Sequence, residues 1–237
     1  MQPLIRTVLV SGASSGIGRA IAERLLQEGH QVIGISRDSR RFSHAHPNFS
    51  GLSMDFAKLK DIPLIAKQLQ HDFPTLDTVV FAAGFGQFSH LEQFSYQQIE
   101  TLLTVNFTGQ VFLTRALLAK LKQKSLSNLI YIGSEAALKG SRQGTIYCAS
   151  KFALRGFAQA LRDECGKSSV RVSLINPGMV NTDFFTDLAF APGKQTSQSL
   201  QTNDIADAVT YILQAGAFCA IDEINLSPPN KVIEFKK

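Results

Sequence analysis

Ile5-Arg6-Thr7-Val8-Leu9-Val10-Ser11 runs without a break into Gly12-Ala13-Ser14-Ser15-Gly16-Ile17-Gly18, and a helical spacing of apolar residues follows through Glu28. The first segment is rich in Val, Leu and Ile, as a buried parallel strand requires. A glycine turn then feeds a helix. Backbone amides at such a turn point, with the helix dipole, toward an anion such as pyrophosphate. The same pattern also serves a tight strand-to-helix turn with no ligand. Its place directly after the first strand favours nucleotide binding.

Working outward, strand and helix patterns alternate to the end of the chain. Strands are expected at Gln31–Ser36, in a short run ending at Asp55, and at Leu76–Ala82, Asn128–Gly133, Val170–Ile175 and Ala220–Leu226. Helices are expected from about Pro63, which suits a first helical turn, from Ser95 to about Lys122, over Thr145–Cys165, and after Asn203, read as an N-cap. Asn106 falls inside the second of these helices, where Asn is unfavourable. It marks either a junction between two helices or a polar group turned into a site. This alternation predicts an α/β fold, a Rossmann-like doubly wound parallel sheet of seven strands with helices on both faces. No linker, repeat or charge block divides the 237 residues, so residues 1–237 are expected to form a single domain.

Composition narrows the function classes. The net charge is +5, but apart from Arg37-Arg40-Arg41 and Lys120-Lys122-Lys124 the basic residues are scattered, which argues against nucleic acid. Three Cys at unrelated spacings make neither a disulfide framework nor a metal site. No basic-then-apolar leader stands at the N-terminus and the longest apolar runs fall short of a membrane span. A cytoplasmic protein without metal or membrane attachment is the expectation.

The chemistry concentrates in Tyr147-Cys148-Ala149-Ser150-Lys151, with Ser134 thirteen residues upstream. On a helix, positions four apart share a face at about 6 Å, which brings the Lys151 ammonium near the Tyr147 phenol. At an effective dielectric near 20 that charge is worth roughly 3 kcal/mol, or about 2 pH units. A phenol near 10 would fall to roughly 8, within reach of general acid/base catalysis. Taken alone, the pair also fits an ordinary amphipathic helix. The second strand ends about 20 residues past the glycines at Ser36-Arg37, with no carboxylate to grip a ribose hydroxyl. Arg37 offers a planar fork for phosphate, with Arg19, Arg40 and Arg41 nearby. That favours NADP over NAD, although Asp38 can still reach a ribose.

Taken in order, SGASSGIG at 11–18, Asp55, Ala83-Gly84, Asn106, Ser134, the YCASK run, and Pro177-Gly178 with Thr182 resemble the short-chain dehydrogenase/reductase family over nearly the whole chain. The resemblance implies a catalytic set: Tyr147 as acid/base, Lys151 as its electrostatic partner and holder of the nicotinamide ribose, and Ser134 polarising the substrate oxygen. Asn106 would order a water leading from Lys151. It further implies a pyrophosphate turn at Gly12, Ser14, Ser15, Gly16, Ile17 and Gly18, and cofactor contacts from Ser36 and Arg37. Asp55 with Phe56 would lie at the adenine, followed by contacts from Ala83, Gly84, Pro177, Gly178, Val180 and Thr182. Two departures stand out. Ser11 replaces the more usual Thr, and Phe81-Ala82 stand where two asparagines are common, so side-chain support of the sheet is lost there.

Met179–Gln201 lacks periodicity and is too long for a routine connection. It is expected to form a lid in which Phe184, Phe185, Leu188 and Phe190 either line an apolar substrate pocket with Phe85, Phe88 and Gln143 or only pack the segment down. The function expected is an NADP-dependent oxidoreductase interconverting a carbonyl and an alcohol. The alternative is a non-catalytic NAD(P)-binding sensor on the same scaffold. The resemblance also implies a homodimer or homotetramer built on the long helices after Asn106 and Thr145.

Overall fold

A computed structural model describes residues 4–38, 46–216 and 218–236. Its centre is a seven-stranded sheet, β1 Thr7–Ser11, β2 Gln31–Ser36, β3 Phe49–Ser53, β4 Leu76–Phe81, β5 Ser127–Ile132, β6 Val170–Pro177 and, near the C-terminus, β8 Glu223–Leu226. The spatial order is β3-β2-β1-β4-β5-β6-β8 and every pairing is parallel. Period-2 side chains divide the core between two faces. Leu9, Leu129 and Tyr131 join α2 Ile62–Asp72, α4 Gly109–Leu121 and α5 Thr145–Cys165 on one face. Val8, Val10, Ile130 and Ile132 meet α1 Gly16–Gln27 and α6 Thr202–Gln214 on the other. The doubly wound sheet and all seven strands are as the alternation predicts.

The chain steps outward from β1 to β3 and then returns to lay β4 beside β1. This reversal opens a crevice at the carboxyl ends of β1 and β4, where such sheets take their ligands. Because all the strands are parallel, Gly12, Ala82, Gly133 and Gly178, each following a strand end, come to one edge.

Asn106 marks a helix junction, as its poor fit to a helix interior predicts, while two other local features differ from expectation. α3 Tyr96–Leu103 continues through a π-turn, Thr104–Thr108, into α4, so Asn106 marks a change of helical pitch inside one helical stretch. That stretch, Tyr96–Leu121, is long and apolar enough to span a membrane by length and composition, at mean hydropathy 1.3. Its apolar side belongs to the core, since Leu113, Leu117 and Leu121 are buried against the sheet. Asn203 lies inside α6 and does not cap it; the Gln201 N–H donates instead to the Asp204 carboxylate at 2.7 Å. Pro63 does sit in the first turn of α2. Finally, two three-residue strands, β7 Phe190–Pro192 and β9 Ile233–Phe235, pair antiparallel as a separate ribbon. Strands that short carry no readable period.

Candidate active site

The glycine turn has the geometry a nucleotide cradle needs. Gly12 and Gly16 have φ of +72° and +53°, a region that favours glycine. A Cβ on Gly12 would stand 3.0 Å from the Ala83 backbone, and one on Gly18 would meet the Gly12 carbonyl oxygen at 2.4 Å. The first glycine thus lets β4 approach and the third seats α1 on its strand. Gly16 faces the Thr182 methyl, 3.6 Å from where its Cβ would be, so the turn and the segment after β6 meet. The Ala13 N–H donates to the Ile35 carbonyl, which ties the turn to β2 two residues before Arg37. Arg37 is exposed there. Ser36 spends its hydroxyl on the Asp38 carbonyl. Arg40 and Arg41 lie outside the described residues.

Ser11 does more than its conservative character suggests. Its Oγ accepts from both Ala82 and Ala83 N–H at 3.0 Å, pinning the end of β4 to β1 at the crevice. The Phe81 ring stacks on Tyr131 at 4.6 Å between centroids. Packing and a serine hydroxyl therefore supply the support that the missing asparagines would give. Two of the expected residues have partners within the chain. The Phe56 side chain is buried in the core against Gly109, because α4 needs an apolar neighbour there. Arg19 is engaged by Glu23 at 2.9 Å, one helical turn along α1.

The four polar groups converge at the strand ends. Lys151 Nζ donates to the Ile132 carbonyl at 3.0 Å and lies 5.9 Å from the centre of the Tyr147 ring. Ser134 hydrogen-bonds the phenol and also accepts from Ala136 N–H. Asn106 is fully buried. Its Oδ1 accepts from Phe85 N–H and its Nδ2 donates to the Phe85 carbonyl and to Ser150 Oγ, which fixes the loop after β4. Gly84 fits between Asn106 and Lys151, its absent Cβ 3.1 Å from Asn106 Oδ1 and 3.8 Å from Lys151 Nζ. π-turns often mark functional sites because they free backbone groups and re-aim side chains. Gln110 Nε2 donates to the carbonyls of Ala83 and Asn106 and so braces both loops. Asp55 turns its Oδ1 to the Ala57 N–H.

Electrostatics differ from the simple pairwise expectation. Burial pushes the Tyr147 phenol up to about 12, against the opposing hydrogen bond from Ser134. Burial also lowers the Lys151 ammonium to about 8. The drop of the phenol toward 8 is therefore not met in this state. The reason is aromatic cover. Phe88 and Phe184 lie on Tyr147 with ring centres 5.0 and 5.9 Å away, and Phe190 and Phe185 close a ring behind them. Desolvation of both partners outweighs their attraction.

Residues 179–201 form the predicted connection, closed at its base by the Val180–Leu200 bridge and by Leu200 N–H to the Met179 carbonyl. Thr182 caps a short turn by accepting from Phe184 N–H, which places that ring. Gln143 sits at a φ of +61° and reaches His90 on the loop carrying Phe88. The C-terminal ribbon was not foreseen. It runs along the connection, and Lys236 Nζ donates to the carbonyls of Phe185 and Thr186.

The model of the short chain dehydrogenase family matches residues 6–191. The chain belongs to that family of oxidoreductases. An uncharacterized oxidoreductase of Staphylococcus aureus is 30% identical, over 94% of this chain and 97% of its own. An alcohol dehydrogenase from Thermococcus sibiricus, solved with 5-hydroxy-NADP, superposes with a TM-score of 0.85 at 26% identity, over 94% of this chain and 96% of that one. A metagenomic short-chain oxidoreductase solved with NADP has a TM-score of 0.82 at 26% identity, over 98% and 100% of the two chains. As a short chain dehydrogenase, the protein brings its glycine turn, the buried Asn106, Ser134, Tyr147 and Lys151 to one crevice.

Proposed function

We propose that the protein interconverts a carbonyl compound and its alcohol with NADP, and that Tyr147 carries the proton. The observation behind this is the meeting of Ser134, Tyr147 and Lys151 beside the glycine turn, with the lysine 5.9 Å from the phenol ring. The cradle fits a dinucleotide. Gly12 and Gly16 supply amides in the left-handed region, and Thr182 faces Gly16. Arg37, exposed beyond β2, would take the 2′-phosphate. NADP bound to two structural relatives supports the same preference. The bound nicotinamide would supply or accept the hydride. The protein's own residues do the rest. Ser134 hydrogen-bonds the substrate oxygen and the phenol, Tyr147 delivers or removes the proton, and Lys151 stabilises the phenolate when it forms. Asn106 holds the Phe85 backbone and Ser150, and so keeps α5 in register with the loop after β4.

The substrate is proposed to be apolar around its carbonyl. Phe88 and Phe184 lie on the phenol ring with Phe185 and Phe190 behind them, and such a lining excludes water and accepts aliphatic or aromatic bodies. The test is a turnover panel of aldehydes, ketones, hydroxy acids and polyols with NADPH and NADH, run beside Tyr147→Phe. Turnover of apolar carbonyls that disappears in the variant, with cofactor binding retained, is expected. Tight cofactor binding without turnover of any member would favour a nucleotide-sensing protein instead.

A further inference from the structure

The segment after β8 does not leave the molecule; it returns across the site. Pro228 packs against Gly178, 3.2 Å from where a Cβ on that glycine would be. Asn230 donates from its backbone and its side chain to Ser197, Gly193 N–H donates to the Val232 carbonyl, and β9 pairs with β7. Lys236 finishes the run on the carbonyls of Phe185 and Thr186. Midway, Lys231 forms an ion pair with Glu135, the residue directly after Ser134. Glu135 Oε2 also stands 3.6 Å from the position of a Gly178 Cβ. The tail thus touches both the aromatic cover and the loop of the reacting hydroxyl. β9 is joined to the phenol through its partner β7 and rings in contact, since Phe190 of β7 lies on Phe88 and Phe88 on Tyr147.

We propose that Glu135 and Lys231 are positioning residues that couple the C-terminal tail to the proton carrier: docking of the tail neutralises the carboxylate beside Ser134. Released, the tail would leave that carboxylate bare. This deepens the reading above, because it takes Tyr147 as the proton carrier. The groups that face the phenol are Lys151 and Cys148 from α5 and Ser134 and Glu135 from the loop after β5, with uncharged Phe88 and Phe184 over the ring. Glu135 acts on the phenol in the direction of keeping it protonated, so loss of Lys231 should make ionisation harder.

Lys231→Met is the test, read in two ways. Hydrogen exchange at the amides of residues 233–235, which needs no substrate, should accelerate as the tail loosens. Alcohol oxidation, measured on the rising alkaline limb with an alcohol active in the panel, should slow about 2- to 5-fold, as a shift of about 0.3 to 0.7 pH unit implies for a half-exposed ion pair. Lys231→Arg should keep both readings near the parent. In a Glu135→Gln background the Lys231→Met change should leave the rate within about twofold, because the carboxylate being neutralised is gone. Unchanged exchange in Lys231→Met overturns the docking role. Faster exchange with an unchanged rate, or an equal slowing in both backgrounds, overturns the coupling. Turnover that survives Tyr147→Phe would refute the proton-carrier reading, while the exchange comparison still decides whether this pair holds the tail.

Discussion

Lys151→Met should stabilise the protein at neutral pH while removing activity. Lys151 is 5% exposed, and burial lowers its ammonium from 10.5 to about 8. At about 1.4 kcal/mol per pH unit this is a folding penalty of about 3 kcal/mol. The sign follows from proton counts. Between about 8 and 10.5 the unfolded chain holds the proton that the folded protein has lost, so stability rises with pH across that window. Below about 8 the penalty is present in full; above about 10.5 it is gone. Methionine escapes the penalty but leaves the Ile132 carbonyl without the Nζ donor, a loss of about 1 kcal/mol. The variant should therefore be more stable than the parent by about 2 kcal/mol at pH 7 and less stable by about 1 kcal/mol near pH 10.5, on the same two principles. Urea denaturation followed by circular dichroism at several pH values measures both. The activity arm uses the same group: kcat/KM for carbonyl reduction reports the free enzyme and should fall as pH rises through about 8. A stability difference that is the same at pH 7 and pH 10.5 would refute the buried, charge-bearing lysine on which the mechanism rests.

Arg37→Asp should reverse the preference for NADPH over NADH, read as the ratio of dissociation constants from fluorescence titration; an unmodified protein that binds NADH better would remove Arg37 from the site. Ser134→Ala should cut kcat by about 10²-fold or more with KM little changed, as expected for a hydrogen bond that strengthens in the transition state. Phe112 on α4 and Phe152 on α5 remain 40% and 45% exposed, and a second copy of the chain is expected to cover them. Light scattering should show a dimer or tetramer that Phe152→Glu weakens, whereas particles of 25.9 kDa in the parent would refute it.

How much of this was legible in the sequence depends on the distance over which each feature is written. The glycine turn and the seven strands are local signals, a few residues of apolar run or turn chemistry each, and they survive folding because the parallel sheet buries whole strands. Ser134, Tyr147 and Lys151 were legible as a set because helical spacing joins two of them and a strand end presents the third. The acidity of the phenol was not. It depends on Phe88, Phe184, Phe185 and Phe190, which come from two connections without period, and a pairwise charge estimate contains no such rings. The brace at Gln110 was hidden for a different reason: a glutamine inside an apolar helical pattern looks like any solvated position. Its amide reaches back four residues to the Asn106 carbonyl in the π-turn and across to the Ala83 carbonyl. The tail lies furthest from legibility. Lys231 and Glu135 stand 96 positions apart, and a three-residue strand such as β9 becomes recognisable only when β7 is beside it. A device assembled from such pieces can hold a site together while leaving no trace in local pattern, so the residues that regulate this crevice are to be sought among long-range ion pairs and short ribbons more than among its motifs.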